Sequence, residues 1–159
     1  MSVSYLRRTQ TLAADPAVLW DFFADPRNLN AITPPDLDFT IITDDLPRMH
    51  AGQIIEYRVK FLPLIRTRWV TEIRHVREGL YFVDEQRVGP YRLWYHEHHF
   101  TPTPRGVEMR DQVTYDIGYG LLGGVLDQLW ISRRLGQIFD YRRDAVAKMF
   151  NGVDDLRGR

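Results

Sequence analysis

The sequence predicts an α+β fold, an antiparallel sheet of about seven strands packed against one long C-terminal helix. Three observations predict it. Between residues 36 and 117, β-prone stretches alternate with short turn signals. Residues 125–150 contain no proline and a single glycine, Gly136, around a broad apolar face. Near the N-terminus, Asp15-Pro16 and Asp25-Pro26 each pair a helix-capping side chain with a proline suited to the first helical position. A chain of 159 residues can bury one sizeable core, and without an internal repeat or linker it reads as one domain, residues 1–159.

In chain order, residues 3–11 form a strand. Asp15 caps a helix that carries Leu19, Trp20, Phe23 and Ala24 as an apolar stripe. Asp25-Pro26 opens a second, shorter helix through Asn28 and Leu29, ended by Thr33-Pro34-Pro35. Strands follow at residues 37–43, 53–61, 66–76, 80–88, 91–101 and 107–117. Their separators include Glu78-Gly79, Gly89-Pro90 and Thr101-Pro102-Thr103-Pro104-Arg105-Gly106, short enough to make neighbouring strands antiparallel. Residues 118–124 read as a glycine-rich hinge. In the helix beyond it, Leu126, Leu129, Ile138, Phe139, Ala145, Val146 and Met149 supply the apolar face. Residues 151–159 read as a frayed tail.

Composition excludes several chemistries. Lys+Arg and Asp+Glu are both 21, so the chain lacks the cationic excess that nucleic acid or an anionic membrane calls for. The cysteine count of 0 excludes disulfides, thiol catalysis and cysteine-ligated metal. Ser2, Ser4 and Ser132 are the only serines, and none sits in a Gly-x-Ser-x-Gly elbow. The glycines of residues 118–124 lack the Lys-Ser/Thr of a phosphate loop. No stretch approaches a membrane span and no targeting segment opens the chain, so the expectation is a cytoplasmic protein without integral membrane association.

Pairing the strands through their turns assigns the two faces of the sheet. A two-residue turn at Glu78-Gly79 sets His75 near Phe82, Ile73 near Asp84 and Thr71 near Gln86. The next two turns set Asp84 near Trp94, Phe82 near His96, His96 near Asp111 and Trp94 near Val113. One face then carries Glu72, Arg74, Glu85, Arg87, Glu97, His99, Glu108, Arg110 and Gln112 and belongs to solvent. The other carries Trp69, Ile73, Phe82, Trp94, Phe100, Met109, Val113 and Tyr115, but also Asp84, Gln86, His96, His98 and Asp111. Each of those polar groups needs a partner in a dry core, and a ligand-holding cavity meets the same need.

Two stretches carry a resemblance. Phe23-x-Asp25-x-x-Asn28-Leu29-x-x-Ile32-Thr33-Pro34-Pro35 is one. Asp84-x-Gln86-x-x-Gly89-Pro90-Tyr91-x-x-Trp94-x-His96-x-His98-x-Phe100, followed by Asp111-x-Val113-x-Tyr115, is the other. With the element order, they resemble the START, birch-pollen-allergen and polyketide-cyclase (SRPBCC) superfamily, in its bacterial ligand-binding or cyclase/dehydrase-like branch. The resemblance implies a helix-grip fold, in which a curved sheet holds the C-terminal helix over an apolar cavity, and it implies binding of a hydrophobic ligand.

The candidate ligand-binding residues are Tyr57, Trp69, Asp84, Gln86, Trp94, His96, His98, Asp111, Val113, Tyr115 and Arg133. Arg133 stands for the cavity side of the last helix, whereas Arg134, Arg142 and Arg143 stand for a solvated face. His96 and Asp111 are open to three readings: a buried pair that fixes the histidine tautomer, ligand contacts, or an acid–base pair. His96, His98 and Asp111 have the residue types of a two-histidine, one-carboxylate centre. The spacing alone specifies little, and the expectation is no metal and no cofactor. The functional expectation is a binder of a lipid-, polyketide- or quinone-like molecule. The alternatives are a cyclase/dehydratase-type lyase using His96 and Asp111, and a protein-interaction module.

Overall fold

The structure is a computed structural model that describes residues 3–62, 65–118 and 125–151. The chain runs β1 (Ser4–Leu12), α1 (Pro16–Phe23), two 3-10 helices (Pro26–Ile32 and Pro35–Leu37), β2 (Thr40–Ile41), β3 (Ile54–Leu62), β4 (Ile65–Arg77), β5 (Tyr81–Val88), β6 (Leu93–Thr103), β7 (Gly106–Asp116) and α2 (Val125–Asn151). The seven strands form one sheet in the order β1-β7-β6-β5-β4-β3-β2. Every neighbouring pair is antiparallel, so β7 joins the first strand to the consecutive run β6 to β2.

Both Asp-Pro steps act as caps. Asp15 Oδ1 accepts from the backbone N–H of Ala17 at 2.8 Å and of Val18 at 3.2 Å, and α1 starts at Pro16. Asp25 Oδ1 accepts from Arg27 N–H at 3.0 Å and opens a 3-10 helix that runs to Ile32 and ends at Thr33, where the sequence reading ended it. The strand expected at residues 37–43 is largely replaced. Pro35 starts another short 3-10 helix, Asp38 takes a left-handed conformation at φ 44°, and only Thr40–Ile41 pair with β3. Two adjacent prolines and a left-handed residue leave too little extended backbone for a longer ladder.

The β4–β5 hairpin differs from the two-residue turn in a compensating way. Arg77 pairs with Tyr81 around a three-residue loop, which shifts the register by one and puts Val76, not His75, opposite Phe82. An irregularity between Ile73 and His75 takes the extra residue back, so Ile73 lies opposite Asp84 and Thr71 opposite Gln86, as the sequence implied. Across β5–β6, Asp84 pairs with His96 rather than Trp94, and Phe82 with His98. Across β6–β7, His96 pairs with Val113 rather than Asp111, and Trp94 with Tyr115. Each of those shifts is two residues, which leaves every side chain on its expected face. Gly106 closes the β6–β7 turn at φ 122°, where a Cβ would stand 2.1 Å from the Leu12 carbonyl oxygen, so only glycine fits.

The sheet's inner face meets α2 through two adjoining clusters. One joins Trp20, Phe23, Ile32, Ile55, Phe82, Phe100 and Val146 among others. The second joins Leu6, Trp94, Val113 and Tyr115 to Ile131, Leu135 and Phe139 of α2. The buried stripe of α2 thus runs Ile131, Leu135, Phe139, Arg142, Val146, at helical spacing. Leu129 and Met149, expected on that face, lie off the stripe and are 63% and 38% exposed. The hinge reading of residues 118–124 and the tail beyond Asn151 fall outside the described residues, apart from Gly118. Among the described residues, no helix is long and apolar enough to cross a membrane.

Candidate functional site

A cavity of about 200 Å³ lies between the inner face of β3–β6, the first 3-10 helix and α2. Most of its wall is apolar, with Leu29, Ile55, Tyr57, Trp69, Trp94 and Phe139 spread around it. Trp69 packs edge-on against Trp94 with ring centroids 5.2 Å apart, and its indole N–H donates to Thr71 Oγ1 at 3.0 Å. Burial pushes the Tyr57 phenol up, so it remains a neutral hydroxyl in the wall. The polar part of the wall is concentrated in Asp84 of β5, His96 and His98 of β6, and Arg142 of α2.

Those four side chains and Asp111 of β7 make one connected cluster. The alternation of β6 places both rings on the inner face, 3.7 Å apart between centroids. Asp84 Oδ2 stands 3.3 Å from His96 Nδ1 and 3.0 Å from His98 Nε2. Asp111 Oδ1 stands 3.2 Å from His96 Nε2 and 2.9 Å from His98 Nδ1. Each ring is therefore bracketed by the same two carboxylates. Arg142 closes the assembly from the helix, with Nη2 3.3 Å from His98 Nδ1 and Nε 3.5 Å from Asp111 Oδ2. Apolar contacts hold the rings: His98 stacks on Phe82 at 3.9 Å, and the Arg142 guanidinium lies 5.3 Å from the centre of Phe23.

Burial works against charge on every member, and the neighbours decide which charges survive. For Asp84, burial raises the carboxyl pKa, but His96 and then His98 overcome it and hold the group below the usual carboxylate range. For Asp111, Arg142 and both histidines overcome burial and hold it well below that range. For His96, burial opposes protonation, yet Asp84 and Asp111 raise its pKa. For His98, burial and the charge on His96 together lower it, against the pull of both carboxylates. The neighbours thus favour charge on both carboxylates beside Arg142, favour a proton on His96 and disfavour a second one on His98. His96 faces the cavity with a carboxylate on either side, an arrangement that can donate a hydrogen bond or move a proton.

Of the residues named from sequence, Tyr57, Trp69, Asp84, Trp94, His96 and His98 line the cavity. Asp111 sits behind the two histidines, 5% exposed and outside the wall. Gln86 is turned to the chain itself: its Nε2 donates to the Tyr91 carbonyl at 2.7 Å and its Oε1 accepts from Tyr91 N–H at 3.4 Å. Val113 and Tyr115 are core residues against α2 rather than wall. Arg133 faces solvent, and Arg142 takes the place assigned to it. The signal for Arg142 was present in the helical period: it continues the row of Ile131, Leu135 and Phe139, whereas Arg133, two residues after Ile131, points to the opposite side.

Comparison with known proteins agrees with this architecture. No curated protein sequence matches the chain. Among solved structures, a protein from Chromobacterium violaceum aligns over 92% of this chain and 97% of its own, with TM-score 0.67 and 13% identity. Ara h 8.0201 aligns over 91% of this chain and 98% of its own, with TM-score 0.62 and 12% identity. The di-domain ARO/CYC StfQ from the steffimycin biosynthetic pathway gives TM-score 0.71 at 13% identity, over 96% of this chain and 52% of that longer one. At such identities the likeness concerns the fold, which is the helix-grip arrangement expected from the sequence. The family model for polyketide cyclase/dehydrase and lipid transport matches residues 12–140, and the chain belongs to that family, within the SRPBCC superfamily.

Proposed function

We propose that the chain binds a compact hydrophobic small molecule, preferentially an aromatic one, between the sheet and α2. The observation that carries this reading is the cavity, apolar around most of its wall, with Asp84, His96, His98 and Arg142 gathered into one polar cluster. Apolar cavities of ~150 Å³ take up benzene, and pockets for drug-sized ligands run from ~300 Å³. A cavity of about 200 Å³ therefore suits one or two fused rings of polyketide or quinone type better than a long acyl chain. The polar cluster would fix the ring's oxygen substituents, and Trp69, Trp94 and Tyr57 its faces.

A second reading, a cyclase- or dehydratase-type lyase, draws on one specific observation. His96 lines the cavity, carries a raised pKa and is backed by Asp111, as a general acid–base group would be. The family description and the name of StfQ lean the same way.

Titration with 1,4-naphthoquinone tests the binding reading, with tryptophan fluorescence as the readout. The chain has no thiol for the quinone to alkylate. Saturable quenching is expected and should fall sharply in Trp69→Phe. Ile73→Phe, which adds volume at the cavity wall, should abolish saturation while the variant still melts cooperatively. Quenching that never saturates, or that survives Ile73→Phe unchanged, would refute the cavity as the binding site. For the lyase reading, His96→Gln should keep quinone binding yet abolish turnover of a linear poly-β-ketone thioester. Turnover equal to that of the unsubstituted protein would end it.

A further inference from the structure

We propose that Asp84, His96 and His98 form a binding site for one first-row transition-metal dication, with Asp111 as the outer partner that orients both rings. The proposal departs from the metal-free expectation of the sequence, and it goes beyond the apolar-ligand reading, on which it does not depend. The donor set also differs from the sequence's candidate triad, because Asp84 rather than Asp111 supplies the carboxylate.

Three independent features of the geometry point to it. The first is spacing. One donor atom from each of Asp84, His96 and His98 lies within 4.8 Å of the other two. Asp84 Oδ2 is 3.3 Å from His96 Nδ1 and 3.0 Å from His98 Nε2. Donors at about 2.1 Å from a common ion stand about 3.0 Å apart along the edge of an octahedron and about 3.4 Å apart along that of a tetrahedron. The observed edges lie in that interval.

The second feature is the arrangement behind the donors. Metal-bound histidines characteristically donate their other N–H to a carboxylate. Here the far nitrogens, His96 Nε2 and His98 Nδ1, both converge on Asp111 Oδ1 at 3.2 and 2.9 Å. Asp84 is also aimed: its Oδ1 accepts from the Trp94 indole N–H at 3.4 Å, which leaves Oδ2 toward the histidines. Arg142, the one permanent cation of the cluster, approaches His98 at Nδ1 and Asp111 at Oδ2, so the imidazole ring stands between it and the Asp84 side.

The third feature is access. Each ring turns one nitrogen toward Asp84 and the other toward Asp111. With a dication beside Asp84, the nitrogens on that side would bind it and those on the far side would donate to Asp111. Asp84, His96 and His98 also line the cavity, whereas Asp111 does not, so the donors are on the accessible side. Two imidazoles and one carboxylate suit zinc, cobalt or ferrous iron rather than calcium or magnesium.

The test uses the full chain, stripped with a chelator and titrated with Zn²⁺ or Co²⁺ alone. Calorimetry should give one site per chain. Nitrogen-resolved imidazole spectra of the Zn²⁺-loaded, unsubstituted protein should show N–H at Nε2 of His96 and at Nδ1 of His98. They should leave His50, His75 and His99 unchanged. Asp111→Asn should weaken Zn²⁺ binding by about 10–100-fold without changing the stoichiometry, and Asp84→Ala should weaken it further. Absence of binding would overturn the proposal, as would zinc that perturbs the other histidines instead. The reverse N–H pattern, or Zn²⁺ affinity retained in Asp84→Ala, would also overturn it. The spectra of the unsubstituted protein decide the matter even if a variant does not fold.

Discussion

On the outer face of β4 and β5, Glu72 and Glu85 interleave with Arg74 and Arg87. On the inner face, Asp84 of β5 joins His96, His98, Asp111 and Arg142. Both assemblies set carboxylates against cations on neighbouring elements. Outside, Arg74 contacts Glu72 at 2.9 Å and Glu85 at 3.5 Å, and Arg87 pairs with both glutamates. Those arginines keep 38% and 46% of their side-chain surface in water, against 3–15% for the two histidines, two aspartates and Arg142 within. Water can replace a lost partner on the outer face but not on the inner one. Exposed pairs are worth roughly 0–1 kcal/mol, whereas breaking a buried pair costs about 3–5 kcal/mol. Well-packed apolar side chains can stabilise a core as well as a buried ion cluster does. Folding alone therefore does not require the inner assembly, and Asp84, His96, His98 and Arg142 of it line the cavity.

The largest effect is expected where one inner charge is removed alone. Asp111→Leu leaves Arg142 without its carboxylate in a site from which water is excluded, and should lower the stability from urea denaturation by about 3–5 kcal/mol. A loss below about 1 kcal/mol would place the cluster in the same energetic class as the outer ladder. Adding Arg142→Met should recover at least about half of the loss, because the stranded charge goes with it. Strictly additive losses would show that Asp111 and Arg142 are not coupled.

Next in size is Gln86, an inner-face residue whose partner is backbone rather than another side chain. Gln86→Ala should cost about 1–3 kcal/mol by leaving the Tyr91 carbonyl without its donor. It should leave 1,4-naphthoquinone binding unchanged, since Gln86 lies off the cavity wall. Weakened binding at unchanged stability would return Gln86 to the site.

These contrasts also explain how far the sequence could be read. The faces of the sheet were legible because alternation has period two. The β5–β6 and β6–β7 registers differ from the turn-based pairing by two residues, and a shift of two preserves the face. The β4–β5 loop departs by one, and the irregularity after Ile73 restores the pairing at Asp84. Asp84, His96, His98 and Asp111 therefore reach the inner face as expected, but their partners across the strands do not match. Arg142 was misread because a charged residue within an apolar helical row was weighed by its type, not its phase, although its neighbours Phe23 and Asp111 provide for both stem and charge. The short helix at Pro35–Leu37 was hidden by β-prone residues that follow it. The cavity volume itself depends on how α2 seats on the sheet, and no local pattern encodes that.

The smallest effect belongs to the outer ladder, and it completes the comparison. Side-chain hydrogen bonds from Arg74 and then Arg87 hold the Glu72 carboxyl below the usual glutamate range. A depressed carboxylate contributes stability above its unfolded pKa, and the contribution fades as pH falls through the folded value. Glu72→Gln should accordingly flatten the acid limb of the stability profile slightly. At neutral pH it should shift the urea midpoint by little more than the scatter of repeat measurements, because solvent takes over from both arginines. Sodium chloride at high concentration should remove even that difference by screening the exposed pair, while the loss in Asp111→Leu persists. If salt erased both losses alike, the inner cluster would be as accessible to water as the outer ladder, and the energetic distinction between the two faces would fall.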